Sequence, residues 1–216
     1  MIGRRSRRLA AAASLVLCFV GSGVAIQGVA VPVRAELARS GLEREFAQRL
    51  EADGASHAVR VDSGTEKASP RTGPRERTTV ARTLPASGPI ARITVPRLGV
   101  REVVLAGQAT PEHLARAPVM LKHGDSANPV AVVAAHRDTH FLFVRDLLEG
   151  DEVTVLFVTG ARERYRVTRL ETVRWDAFAY PLDPARPLLA LVTCYPFGGT
   201  EYGGPLRRVA WAERVA

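Results

Sequence analysis

The sequence predicts a mainly β domain, a closed barrel or a sandwich, carried behind an apolar N-terminal span. Three observations predict it. From about Thr83 to Ala216 the chain runs in short stretches rich in β-branched residues, seven or eight of them. Turn residues separate these stretches, and the segment has the size of one domain. Only two short helical pieces interrupt them, around Thr110–Ala115 and His140–Leu148.

The first element is not β. Arg4, Arg5, Arg7 and Arg8 form a basic cluster, and no charge follows from Leu9 to Val33. Roughly 20 apolar residues suffice to cross a bilayer as a helix, and preceding positive charge holds the N-terminus in the cytoplasm. Residues 1–33 therefore read as a transmembrane signal anchor, with a cleaved signal peptide ending near Ala25 or Ala30 as the alternative. In either case the remainder is exported: single-pass in the inner (cytoplasmic) membrane if the anchor stays, with the domain on the periplasmic side. Residues 34–82 follow as stalk and linker. Leu37, Leu42, Phe46 and Leu50 recur at helical spacing among Arg and Glu, an amphipathic helix lying on the bilayer or against the domain. Residues from about Ala52 to Arg82, rich in Gly, Ser, Thr and Pro, read as a flexible linker.

Residues 83–216 form the third part. Ile90–Val95 alternates and stops at Pro96; Val100–Leu105 precedes Gly107; Pro129–Ala134 leads into His136. Asp151 opens a strand that runs on to Val158, Tyr165–Val173 follows a polar turn, Leu188–Val192 leads to Cys194, and Leu206–Ala212 comes last. Pro111 after Thr110 is a helix start signal.

The net charge is +8, from 30 Lys and Arg against 22 Asp and Glu. Only Lys67 and Lys122 are lysines, and the arginines are scattered without a basic stripe interleaved with aromatics. That pattern, together with export, argues against nucleic acid as a partner and for a solvated face.

The chain has two cysteines. Cys18 lies in the apolar span and leaves with it or stays in the membrane, so Cys194 is without an intramolecular partner. A lone exported thiol is inert and buried, bridged to another molecule, or reactive. Here His136 ends one apolar run and Arg207 and Arg208 open another. A thiolate attacks carbonyls where a thiol does not, a histidine both takes and gives protons near neutral pH, and an arginine offers fixed positive charge to an oxyanion. Thiol, imidazole and guanidinium at strand ends are the parts of an acyl-transfer site. Neighbouring arginines on a strand face opposite sides, so one of the two joins Cys194.

His136 and His140 stand four apart, but a zinc-protease helix needs glutamate after the first histidine and here Arg137 is there. No metal or other cofactor is expected. His140 reads as a groove residue or as one supporting the site from behind, Asp138 as a turn cap or orienting group, and His57, His113 and His123 as surface residues.

The local strings are similar to those of the sortases, membrane-anchored cysteine transpeptidases. Ala135-His136-Arg137-Asp138-Thr139-His140-Phe141 resembles that family's histidine motif. Leu191-Val192-Thr193-Cys194 resembles its cysteine motif, with Ala190 where the motif has threonine. Gly204-Pro205-Leu206-Arg207 resembles its arginine strand, and Ile93–Val100 its opening strand. The pair His-Arg-Asp-Thr-His-Phe and Thr-Cys-Tyr-Pro-Phe is most like the sortases of Gram-negative proteobacteria. The resemblance implies an eight-stranded sortase-type β-barrel. It implies a Cys194 nucleophile cutting the Thr-Gly bond of an LPXTG-like sorting signal at a substrate protein's C-terminus, a thioacyl enzyme, His136 as general acid and base, and an amine acceptor. It points to Arg207 for binding substrate or the oxyanion. Substrate-binding residues are unassigned. Two rivals are an exported L,D-transpeptidase-like cell-wall enzyme, which would carry His-Gly before its cysteine where this chain has Val192-Thr193, and a non-catalytic anchored periplasmic β-domain.

Overall fold

The computed structural model describes residues 38–53, 86–199 and 203–215. The expected span at 9–33, Cys18, His57 and most of the linker lie outside the described residues, among which no helix is long and apolar enough to cross a membrane. Two compact units divide the chain at Gly41, and of the first only 38–41, which are helical, are described. The second holds everything discussed below.

Eight strands close into a barrel. They are β1 (Gly88–Val95), β2 (Val100–Ala106), β3 (Val119–Lys122), β4 (Val130–Ala134), β5 (Glu152–Phe157), β6 (Arg162–Arg174), β7 (Leu188–Tyr195) and β8 (Leu206–Val215). The order around the barrel is β1-β2-β3-β4-β7-β8-β6-β5, and β1 pairs with both β2 and β5 to close it. The sandwich alternative is thereby excluded. Most pairs are antiparallel; β2–β3 and β4–β7 are parallel. A parallel pair needs a crossover, and helix α2 (Pro111–Arg116) supplies the one between β2 and β3. Pro111 stands in its first turn and the Thr110 hydroxyl accepts from the His113 amide at 3.2 Å, the cap its sequence foretells.

Two expectations change. β3 is a strand that alternation does not reveal, being four residues long. The piece expected to be helical over His140–Leu148 is a 3-10 helix limited to Leu142–Asp146. Its Phe143 and Val144 are drawn into the core, so tertiary packing sets its geometry.

Alternation along the strands sorts side chains into two sets. Leu189 and Leu191 of β7, Ala131 and Val133 of β4, and Ala210 and Ala212 of β8 point inward and pack with Ile93, Val95 and Phe141. The alternate residues face out, and these outward sets are apolar in two places. On one, Val103 and Leu105 of β2 are covered by helix α1 (38–53), whose Leu42 and Phe46 are buried against them and whose Leu50 packs alongside. Arg92 reinforces this contact, lying 5.0 Å over the Phe46 ring and 3.4 Å from the Glu43 carboxylate. From Leu42 on, the amphipathic helix therefore rests on the domain. On the other, Val130, Val132, Ala190, Val192, Val209 and Trp211 form a strip over β4, β7 and β8. The β6–β7 connection crosses it: Phe178 stacks on Trp211 at 6.0 Å, and the Asn128 amide donates to the Leu182 carbonyl at 2.9 Å.

An ion pair between an exposed arginine and a buried carboxylate ties the turn after β1 to the start of β5. Arg97 makes a two-pronged contact with the Asp151 carboxylate, which also accepts from the Leu148 amide at 2.8 Å. The Arg97 guanidinium holds the Asp151 carboxyl below the usual carboxylate range, against the opposing effect of burial.

Candidate active site

Three strand ends build the site. In β7, residues 188, 190 and 192 belong to the outer strip, so Cys194 continues that face. In β8 the outer residues are Val209 and Trp211, which puts Arg207 on the same side and Arg208 on the other. Register agrees: Cys194 pairs directly with Arg207, and Thr193 with Arg208. Directly paired residues share a face and stand close. Arg208 instead reaches Thr172 of β6, Nη1 to Oγ1 at 3.4 Å. In β4, Val130 and Val132 face out, and the parallel register Ala134↔Val192 carries on through the bond from the Ala135 amide to the Val192 carbonyl, bringing His136 level with Cys194. Cys194, His136 and Arg207 therefore come together from β4, β7 and β8 at one end of the outer strip.

All three line one cleft of about 670 Å³. Ala134 and Val192 make its floor; Ala109, Leu114, Ala115 and Leu121 make an apolar wall. Thr193, Asp138, Thr139 and the glycines 199 and 203 complete its polar side. Cys194 is a free cysteine and only half-buried, so its side chain is open to the cleft.

Hydrogen bonds hold each member. The buried Thr193 hydroxyl donates to the Ala135 carbonyl at 2.8 Å, fastening the strand that ends in Cys194 to the one that ends in His136. Arg207 Nη1 donates to the carbonyls of Gly203, Gly204 and Leu206, at 2.9, 2.9 and 2.8 Å. Gly203 and Gly204 have φ of 84° and 49°, the left-handed conformation that glycine adopts without strain. The guanidinium is thus anchored through one nitrogen, and its remaining donors face no protein partner among the described residues. An anchored fork of this kind suits a developing oxyanion, because it is in place before the charge appears.

Two side chains beside the histidine have roles the sequence does not announce. Arg137 is 8% exposed and its guanidinium donates to the Gly199 carbonyl, tying the histidine turn to the β7–β8 loop. A Cβ at Gly199 would lie 3.2 Å from that guanidinium, a tight contact that would make one of the two give way slightly. His140, expected in the groove or supporting the site from behind, is buried and does not line the cleft; its Nδ1 lies 2.9 Å from the Glu102 carboxylate of β2. The turn from 136 to 140 sends its two histidines to different neighbourhoods, so they share no helix face; no group of three or more potential metal ligands occurs among the described residues. His113 bonds the Gln108 carbonyl and His123 packs edge-on against Phe157; neither lines the cleft. Arg137 was legible only as a charge, since its burial depends on a loop more than 60 residues away.

The fold and these strings have counterparts. The model of the sortase domain family matches residues 93–215. Among solved structures, sortase A from Corynebacterium diphtheriae is 21% identical, with a TM-score of 0.52 over 79% of this chain and 84% of that one. Streptococcus agalactiae sortase C1 is 20% identical, with a TM-score of 0.52 over 80% and 90%. Sortase C from Clostridium perfringens SM101 is 19% identical, with a TM-score of 0.51 over 60% and 72%. These three likenesses speak for the barrel. No functionally curated protein matches the sequence significantly. The family model covers more than half of the chain, and with the barrel it carries the conclusion that this protein belongs to the sortase family of cysteine transpeptidases.

Proposed function

We propose that this sortase-type transpeptidase cuts an LPXTG-like sorting signal and hands the new C-terminus to an amine. The supporting observation is the placement of Cys194 and Arg207 as direct cross-strand partners, with His136 level with them on the same outer face. The Cys194 thiolate attacks the threonine carbonyl of the Thr-Gly bond, and the oxyanion faces the free donors of Arg207. Collapse breaks the C–N bond, and the glycine amine leaves with a proton from His136. The acceptor amine then attacks the thioester carbonyl, His136 takes its proton and Cys194 departs as thiolate. With water in place of the amine the outcome is hydrolysis, as in a thiol peptidase. The apolar wall and floor suit the apolar residues of such a signal.

We read the N-terminus as the anchor of this enzyme, single-pass in the inner membrane with the barrel in the periplasm. The motivation is the basic cluster before residues 9–33 and strings most like those of Gram-negative proteobacterial sortases. Protease accessibility in spheroplasts tests it: a barrel protected from external protease would refute that orientation.

The main test uses the full-length protein in detergent with a panel of LPXTG-type peptides and mass spectrometry. An acyl adduct is expected on Cys194, absent in Cys194→Ala, and accumulating far more slowly in His136→Ala. No adduct with any peptide overturns the proposal, and slow alkylation of Cys194, unchanged by His136→Ala, would then favour a non-catalytic domain.

A further inference from the structure

We propose that Asp138 selects a positively charged acceptor amine for this site. This rests on the transpeptidase reading and deepens it. Among the described residues lining the cleft, Asp138 is the one acidic side chain, in a wall that otherwise offers His136, Arg137 and Arg207. Neither arginine pairs with it: Arg137 donates to the Gly199 carbonyl, and Arg207 is anchored through one nitrogen on three carbonyls. Asp138 is exposed and makes no hydrogen bond or ion pair among the described residues, in a chain where 30 basic residues compete for 22 acidic ones. An unpaired carboxylate two residues from His136 is poorly placed to receive a peptide carbonyl and well placed to receive a cation.

A primary amine arrives mostly as ammonium at neutral pH. Asp138 holds that form at the cleft beside His136. The ammonium then loses one proton to solvent, its lone pair forms the C–N bond, the C–S bond breaks, and the second proton passes to His136. Asp138 is thus a specificity residue for the second half-reaction. It makes no bond to the His136 ring among the described residues, so it does not act by orienting the imidazole.

The test compares two probes on full-length protein in detergent, with one sorting-signal peptide as donor. Triglycinamide is mainly cationic at neutral pH, whereas hydroxylamine is neutral. Asp138→Asn should raise KM for triglycinamide roughly 1.5- to fivefold, the range of one partly screened charge contact. Asp138→Lys should raise it further and Asp138→Glu should preserve it. The difference should shrink at high salt, where the Debye length falls from about 10 Å at 0.1 M to about 3 Å at 1 M. Hydroxylamine turnover and the pH profile of acylation should not move. Equal effects on both probes, an unchanged triglycinamide KM, or a shifted acylation profile would overturn the proposal while leaving the transpeptidase intact. A wild-type protein that forms no adduct with any sorting peptide would remove both.

Discussion

The barrel has two apolar outer faces, and they end differently. On β2 the strip is sealed: Leu42 and Phe46 of α1 cover Val103 and Leu105, and charged contacts through Glu43 close the border. On β4, β7 and β8 the cover is partial. Phe178 stacks on Trp211 and, with Val173 and Leu188, packs against the buried strip, but the strand ends beyond it stay open. Cys194, His136 and Arg207 stand at that open end. A site arises where a barrel's apolar exterior runs out from under its cover, because the floor is already dry and the strand ends carry the polar groups.

The largest expected break in this comparison is chemical. Arg207→Ala should lower kcat/KM of transpeptidation by about 10²–10³, the usual cost of one oxyanion donor, whereas Arg208→Ala should leave it nearly unchanged. If Arg208→Ala alone abolishes turnover, the shared-face assignment is wrong. Next comes the sealed face. Phe46 is fully buried, and Phe46→Ala should destabilise the domain by about 3–5 kcal/mol in denaturant titration, leaving the chemistry of the folded fraction intact. An unchanged midpoint would mean that α1 does not hold the barrel.

The smallest effect is read in pH. The Asp151 carboxyl is lowered by Arg97, so it stays ionised in the folded state where the unfolded chain would already bind a proton. Its contribution is fully present above the unfolded value of about 3.9 and is lost as pH falls through the lowered folded value. The stability gap between wild type and Asp151→Asn should therefore be widest above about pH 4 and close under acid. A gap independent of pH would show that the pair contributes through shape alone.

Much of the site is legible locally. Each of the three residues ends or opens a run whose composition marks a strand, and the flanking strings of His136 and Cys194 are distinctive. The missed parts are non-local. β3 is too short to show a period, and it is held by pairing to β2 and β4. Arg137 shows in the sequence only as the residue after His136, and its tie to the β7–β8 loop needs the folded chain. Whether His140 stands in the groove or behind the site is decided by Glu102, 38 positions earlier, which claims its ring.

Alternation alone determined that one of Arg207 and Arg208 faces with Cys194, because successive side chains on a strand point to opposite sides. The unbroken apolar runs at 130–134 and 188–192 likewise made both faces of those strands apolar. Which arginine stands beside the thiol was decided by register between β7 and β8, and the meeting with His136 by the parallel pairing of β4 with β7. Register depends on where distant segments lie when the barrel closes and its interior packs. A one-residue slip would have exchanged the two arginines and turned Cys194 toward the core.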